Sequence, residues 1–101
     1  MAFKRVAKVL DVQPGEVRVF EVNGDSIAIA NVEGRFFALD NVCTHDGGPL
    51  GEGVLFGDQV ECPRHGARFD VATGQVRVLP AVIPVRTYPV RVQDGDVEVD
   101  L

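Results

Sequence analysis

Hydrophobic residues along most of this chain recur at every second position, and no window of useful length carries the 3.6-residue period of an amphipathic helix. Val17-Arg18-Val19-Phe20-Glu21-Val22 is a mostly alternating, β-branched run, and Ser26-Ile27-Ala28-Ile29-Ala30 follows it. Asn23-Gly24-Asp25 lies between them, and Asn-Gly is a strong hairpin signal. Glu33-Gly34 then turns the chain into Arg35-Phe36-Phe37-Ala38-Leu39. Near the other end, Val90-Arg91-Val92-Gln93 and Val97-Glu98-Val99-Asp100 flank Asp94-Gly95-Asp96, another hairpin. Short strands punctuated by Gly and Asn/Asp turns specify an all-β fold, an antiparallel sandwich or barrel.

The 101 residues make a single domain, and 46% apolar with 25% charged residues is ordinary globular composition. A core of this size is small, and a bound metal would add to its stability. The formal net charge of −5 argues against nucleic acid, which wants a basic stripe, and against an anionic membrane surface. An acidic face suits a basic protein partner, although many of these carboxylates serve only solubility. Positive charge near the N-terminus is not followed by an uninterrupted apolar run, so no signal peptide is expected. Nothing approaches the roughly 20 apolar residues that span a bilayer. With two cysteines and no export signal, a cytoplasmic location is expected.

The middle of the chain breaks the alternation. Asn41 to Gly53 holds four glycines and a proline, and a loop that long invites a functional explanation. After a strand-like Gln59-Val60-Glu61 comes a tight segment, Cys62-Pro63-Arg64-His65-Gly66. Ala67-Arg68-Phe69-Asp70 alternates again, and Ala72-Thr73-Gly74 turns it. Leu79-Pro80-Ala81-Val82-Ile83-Pro84 is too proline-bracketed for a central strand and reads as an extended loop lying over something.

Every cysteine and histidine falls in two of these loops, as Cys43-x-His45 and, sixteen residues later, Cys62-x-x-His65. Taken singly, a cysteine is usually a small core hydrophobe and a histidine a hydrogen-bonding group. Four in matching order form a plausible metal-ligand set. A structural zinc accepts Cys2His2, but zinc fingers generally pair like ligands within each loop. Here each loop carries one of each, the pattern of a 2Fe–2S centre in which two histidines replace two cysteines on one iron. A Cys43–Cys62 disulfide would leave both histidines unexplained. A Cys62/His65 nucleophile–base dyad would leave the other pair idle.

Cys43-Thr44-His45-Asp46-Gly47-Gly48 and Cys62-Pro63-Arg64-His65-Gly66-Ala67-Arg68-Phe69 resemble the two cluster-binding loops of the Rieske ferredoxin family. The likeness extends over nearly the whole chain. It implies an antiparallel β-sandwich, with residues 41–70 as a small, loop-rich cluster-binding subdomain and the proline loop covering the cluster from a third side. It implies one Rieske-type 2Fe–2S cluster, with Cys43 and Cys62 on one iron and His45 and His65 on the other.

The resemblance also separates branches. High-potential Rieske proteins carry a loop-bracing disulfide where this chain has Gly48 and Arg64. They place a Ser and a Tyr, which donate to cluster sulfurs, where it has Ala67 and Phe69. Lost donors lower a potential, so the low end of the Rieske range of about −150 to +300 mV is expected. Saturated coordination leaves no substrate position, so the implied work is electron transfer rather than catalysis. An oxygenase needs a further two-histidine, one-carboxylate iron, and both histidines are already used. The expected partners are a flavin-dependent ferredoxin reductase and a terminal Rieske oxygenase, served by a monomer. Competing readings are the small Rieske-like subunit of an assimilatory nitrite reductase and a zinc-stabilised interaction module. Leu50 and Pro80–Pro84 could form an apolar docking collar or simply pack the loops. Asp46, Glu52 and Asp58 could orient a basic partner.

Overall fold

A computed structural model describes residues 2–44, 47–64, 66–81 and 83–101. Among the described residues eleven strands form three sheets in which every pairing is antiparallel. One sheet is ordered β1 (Phe3–Lys8), β11 (Asp96–Asp100), β10 (Val90–Gln93). The second runs β2 (Val17–Val22), β3 (Asp25–Val32), β4 (Arg35–Asp40), β9 (Thr87–Tyr88). The third is β5 (Val54–Phe56), β6 (Gln59–Glu61), β7 (Arg68–Asp70), β8 (Val76–Val78). Among the described residues the helical turns are 3-10 segments at Val9–Asp11 and Leu50–Glu52. No helix of the described residues is long and apolar enough to cross a membrane.

The expected hairpins form, each through a two-residue turn with positive φ at both positions: Asn23 and Gly24, Glu33 and Gly34, Asp94 and Gly95. Such turns match the right-handed twist of the strands they join. Asp25 and Asp96, expected in the turns, instead open β3 and β11. A glutamate is a poor left-handed residue, and Asn31 supports its turn by accepting the Gly34 N–H at 2.8 Å.

β3 is the strand around which the layers assemble. Its Ile27 and Ile29 join Ala38, Val97 and Val99 in one buried cluster, between the first sheet and the second. Its Ala30, with Leu39 of β4, joins Cys43, Leu50, Val60, Cys62 and Phe69 in a second cluster on the side of the third sheet. Residues Ile27 to Ala30 are all fully buried, so this strand reads as a continuous apolar run where an edge strand would alternate. Large side chains fill one face. Small ones on the other let the loop turn approach, and a Cβ added to Gly51 would meet Ala28 Cβ at 3.2 Å.

At the end of β3, buried Asn31 donates from Nδ2 to the Val12 carbonyl at 2.8 Å as well as holding the Glu33–Gly34 turn. Asn31→Ala should cost about 1–3 kcal/mol, because it strands a buried acceptor. Urea unfolding at neutral pH measures the loss, and a change below about 0.5 kcal/mol would contradict this role.

Candidate metal centre

The two cysteines sit at the starts of loops that leave β4 and β6, and both loops close on the cysteine backbone in the same way. Cys43 donates its N–H to the Gly48 carbonyl at 2.7 Å, and its own carbonyl accepts the Gly47 N–H at 2.7 Å. Cys62 donates to the Ala67 carbonyl at 2.7 Å and accepts from Gly66 at 3.2 Å. Each closure thus joins the cysteine to the residues four and five positions on. The residue four positions on is glycine in both, with φ +77° at Gly47 and +76° at Gly66. A side chain there would meet open space, so conformation rather than room requires glycine.

Cys43 and Cys62 are 0% and 1% exposed and share one buried cluster with Leu50, Val60, Phe69 and Ala81. No disulfide joins them. Two buried thiols at the heads of two like-closed loops fit a metal group that needs soft sulfur ligands from each loop. The expected ligands His45 and His65, and with them Asp46 and Val82, lie outside the described residues.

The proline segment does lie over the loops. Ala81 is fully buried in the cysteine cluster, and Thr44 donates from Oγ1 to the Ile83 carbonyl at 2.5 Å. Leu79 and Ile83 are 70% and 59% exposed, so this segment presents apolar surface beside the cysteine loops. Leu50 does not: it is fully buried and packs the loops from within. Glu52 and Asp58 are exposed.

Polar groups that sequence reasoning did not single out fix the base of the first loop and the turn that follows β7. Asn41 donates from Nδ2 to Ser26 Oγ at 3.0 Å, and its Oδ1 accepts the Gly51 N–H at 2.7 Å. It thereby ties the first loop to β3. Asp70 ends β7, where Oδ1 accepts the Ala72 and Thr73 N–H groups and Oδ2 the Arg77 guanidinium at 2.8 Å. Burial alone would raise this carboxyl, but the bonds from Arg77, Thr73 and Ala72 outweigh it and hold the carboxyl below its ordinary value. The Asp-x-x-Thr spacing of a side-chain-capped turn was the only hint of this in the sequence.

Tyr88 donates its hydroxyl to Asp40 at the end of β4, just before the first loop, while the Arg86 guanidinium lies 4.7 Å from its ring centroid. Burial, then the bond and charge of Asp40, push the Tyr88 hydroxyl up to about 12 from an ordinary 10. A raised folded value gives stability that is full below the ordinary value and lost as the pH climbs through 12. The chain has one tyrosine and no tryptophan, so tyrosinate absorbance reports Tyr88 alone. Its rise should centre near pH 12 and move toward 10 in Asp40→Asn. A wild-type midpoint near 10 would contradict the Asp40 contact.

Residues 2–89 match the Rieske [2Fe-2S] domain family. The chain is 43% identical over 101 residues to the biphenyl 2,3-dioxygenase ferredoxin component of Rhodococcus jostii (strain RHA1), covering 100% of this chain and 94% of that one. Among solved structures it is similar to the Sphingomonas yanoikuyae B1 ferredoxin, with a TM-score of 0.93, 39% identity and 99% of both chains covered. A chain in the complex of reduced oxygenase and oxidized ferredoxin in carbazole 1,9a-dioxygenase gives a TM-score of 0.88 at 37% identity, covering 96% of this chain and 91% of that one.

Proposed function

This chain belongs to the Rieske [2Fe-2S] domain family, and on that footing we propose that Cys43 and Cys62 bind one iron of its cluster and His45 and His65 the other. One Rieske-type 2Fe–2S cluster is its cofactor, and when bound it supplies one-electron transfer. The chain is an electron carrier of an oxygenase system, not itself a catalyst. The observation that carries the ligand assignment is the pair of buried cysteines at the heads of two like-closed loops. Each glycine-closed loop holds its cysteine by two backbone hydrogen bonds, which lowers the ordering that loading must supply. Burial of both cysteines in one apolar cluster keeps water from the sulfur side of the site.

Residues 41–70 act as the cluster-binding unit of a single domain spanning 1–101. The third sheet runs on to Val78, so β8 forms its outer strand. The chain works as a cytoplasmic monomer between a flavin-dependent ferredoxin reductase and a terminal Rieske oxygenase. Ferredoxin components among its relatives favour this reading over a nitrite reductase subunit or a zinc module.

EPR of the reduced protein should give the low average g value of a Rieske centre, and Cys62→Ala should lose the visible colour. A plant-type g average, or full colour in Cys62→Ala, would refute the ligand assignment.

Ala67 is fully buried in the cysteine cluster and donates no side-chain hydrogen bond. Ala67→Ser should raise the potential by on the order of 20–60 mV. This equals a hydrogen bond of about 0.5–1.5 kcal/mol at roughly 59 mV per tenfold for one electron. A wild-type potential above about +100 mV would overturn the low-potential assignment.

Exposed Ile83 sits on the segment that Thr44 holds against the first loop. Ile83→Asp should slow reduction of the oxygenase at least tenfold while leaving the EPR signal intact. An unchanged rate would remove the proline loop from the docking surface.

A further inference from the structure

Away from the proline segment, two sheet edges face a common cleft. β2 is the outer strand of its sheet and β5 the outer strand of the third. A cleft of about 970 Å³ lies between them, and none of Leu79, Pro80, Ile83 or Pro84 lines it. The β2–β3 register decides which backbone groups β2 leaves over. Val22 and Asp25 flank the two-residue turn, and the Glu16 carbonyl accepts the Asn31 N–H at 3.0 Å at the far end. Ladder bonds in an antiparallel pair fall on alternate residues, here 16, 18, 20 and 22. Val17, Val19 and Glu21 therefore turn their N–H and C=O groups away from β3, and no other element bonds them among the described residues.

Charge gives the cleft a sign. Asp11, Glu16, Glu21 and Glu52 line it against a single base, Arg18, which Glu16 already engages at 3.4 Å. That is a net −3 of the −5 carried by the whole chain. Between these carboxylates lie apolar Val17, Val19 and Val54.

An unpaired strand edge, an apolar strip and a carboxylate rim are the three features that recognise an added strand bearing alternate basic and apolar residues. We infer that this cleft binds an extended, lysine- or arginine-bearing segment of a redox partner protein, laid alongside β2 as a fifth strand of the central sheet. Its backbone pairs with Val17, Val19 and Glu21, and its cations lie against Glu21 and Glu52. A second copy of the chain fits badly, because edge-to-edge pairing would bring two acidic clefts, each net −3, together. The cleft lies apart from the exposed proline segment, so such a contact holds a partner and raises the encounter rate without occupying that surface.

The test titrates the ¹⁵N-labelled holoprotein with a capped octapeptide of alternating lysine and valine at low salt. Saturable amide shifts are expected at Val17, Val19 and Glu21. Glu21→Lys should weaken binding at least fivefold while the EPR signal of the reduced protein is unchanged. Methylating the peptide nitrogens of the valines in one peptide, and of the lysines in another, should cost at least tenfold in one of the two. Shifts confined to the proline segment, absence of saturation, or equal binding by both methylated peptides would overturn the inference. Concentration-dependent shifts at β2 without any peptide would do so too, by assigning the edge to a second copy. An intact EPR signal beside a failed titration leaves the cluster assignment standing.

Discussion

Everything at the cysteine end of the molecule hangs on two backbone hydrogen bonds made by each cysteine. They close Cys43 onto Gly47 and Gly48, and Cys62 onto Gly66 and Ala67, with the same spacing and the same left-handed glycine. Loops without regular structure lose about 1–2 kcal/mol of backbone entropy per ordered residue. Any part of that conformation held by the protein's own hydrogen bonds is a cost that metal binding does not have to meet. Here the cysteine itself is the anchor of the loop, so its backbone position and the loop closure are a single constraint.

Around those closures the structure places a graded set of supports. The central sheet offers small residues, Ala28 and Ala30, toward the loops and large ones, Ile27 and Ile29, toward the opposite core. Asn41 ties the first loop to β3, Asp70 holds the turn after β7 through Arg77, and Thr44 pins the proline segment over the first loop. Tyr88 fastens the end of β4 through Asp40. All but Thr44 lie at or next to the end of a strand, where ladder bonds run out and side chains must satisfy what remains.

How far the sequence foretold this follows from how local each signal is. Three hairpins were legible because Asn-Gly, Asp-Gly and Glu-Gly pairs need only their own backbone angles to act. β6 was legible at the bounds expected. β1 was not, because Lys4 and Arg5 interrupt its alternation and its pairing with β11 shifts register between Arg5 and Ala7. β5, β8 and β9 are only two or three residues long, and their existence depends on partners elsewhere in the chain. Leu50, with docking and packing both open to it from sequence, is settled by burial as a packing residue.

By itself the sequence determined the fold class, the turn positions and the paired Cys/His spacing, since periodicity, left-handed glycines and donor chemistry are properties of residues and their neighbours. Tertiary structure alone decided the rest. It brought Cys43 and Cys62 into one cluster, laid the proline segment across the first loop and left β2 as an open acidic edge. Those outcomes depend on which strands lie side by side and which of their faces are covered, and no local window of residues carries that information.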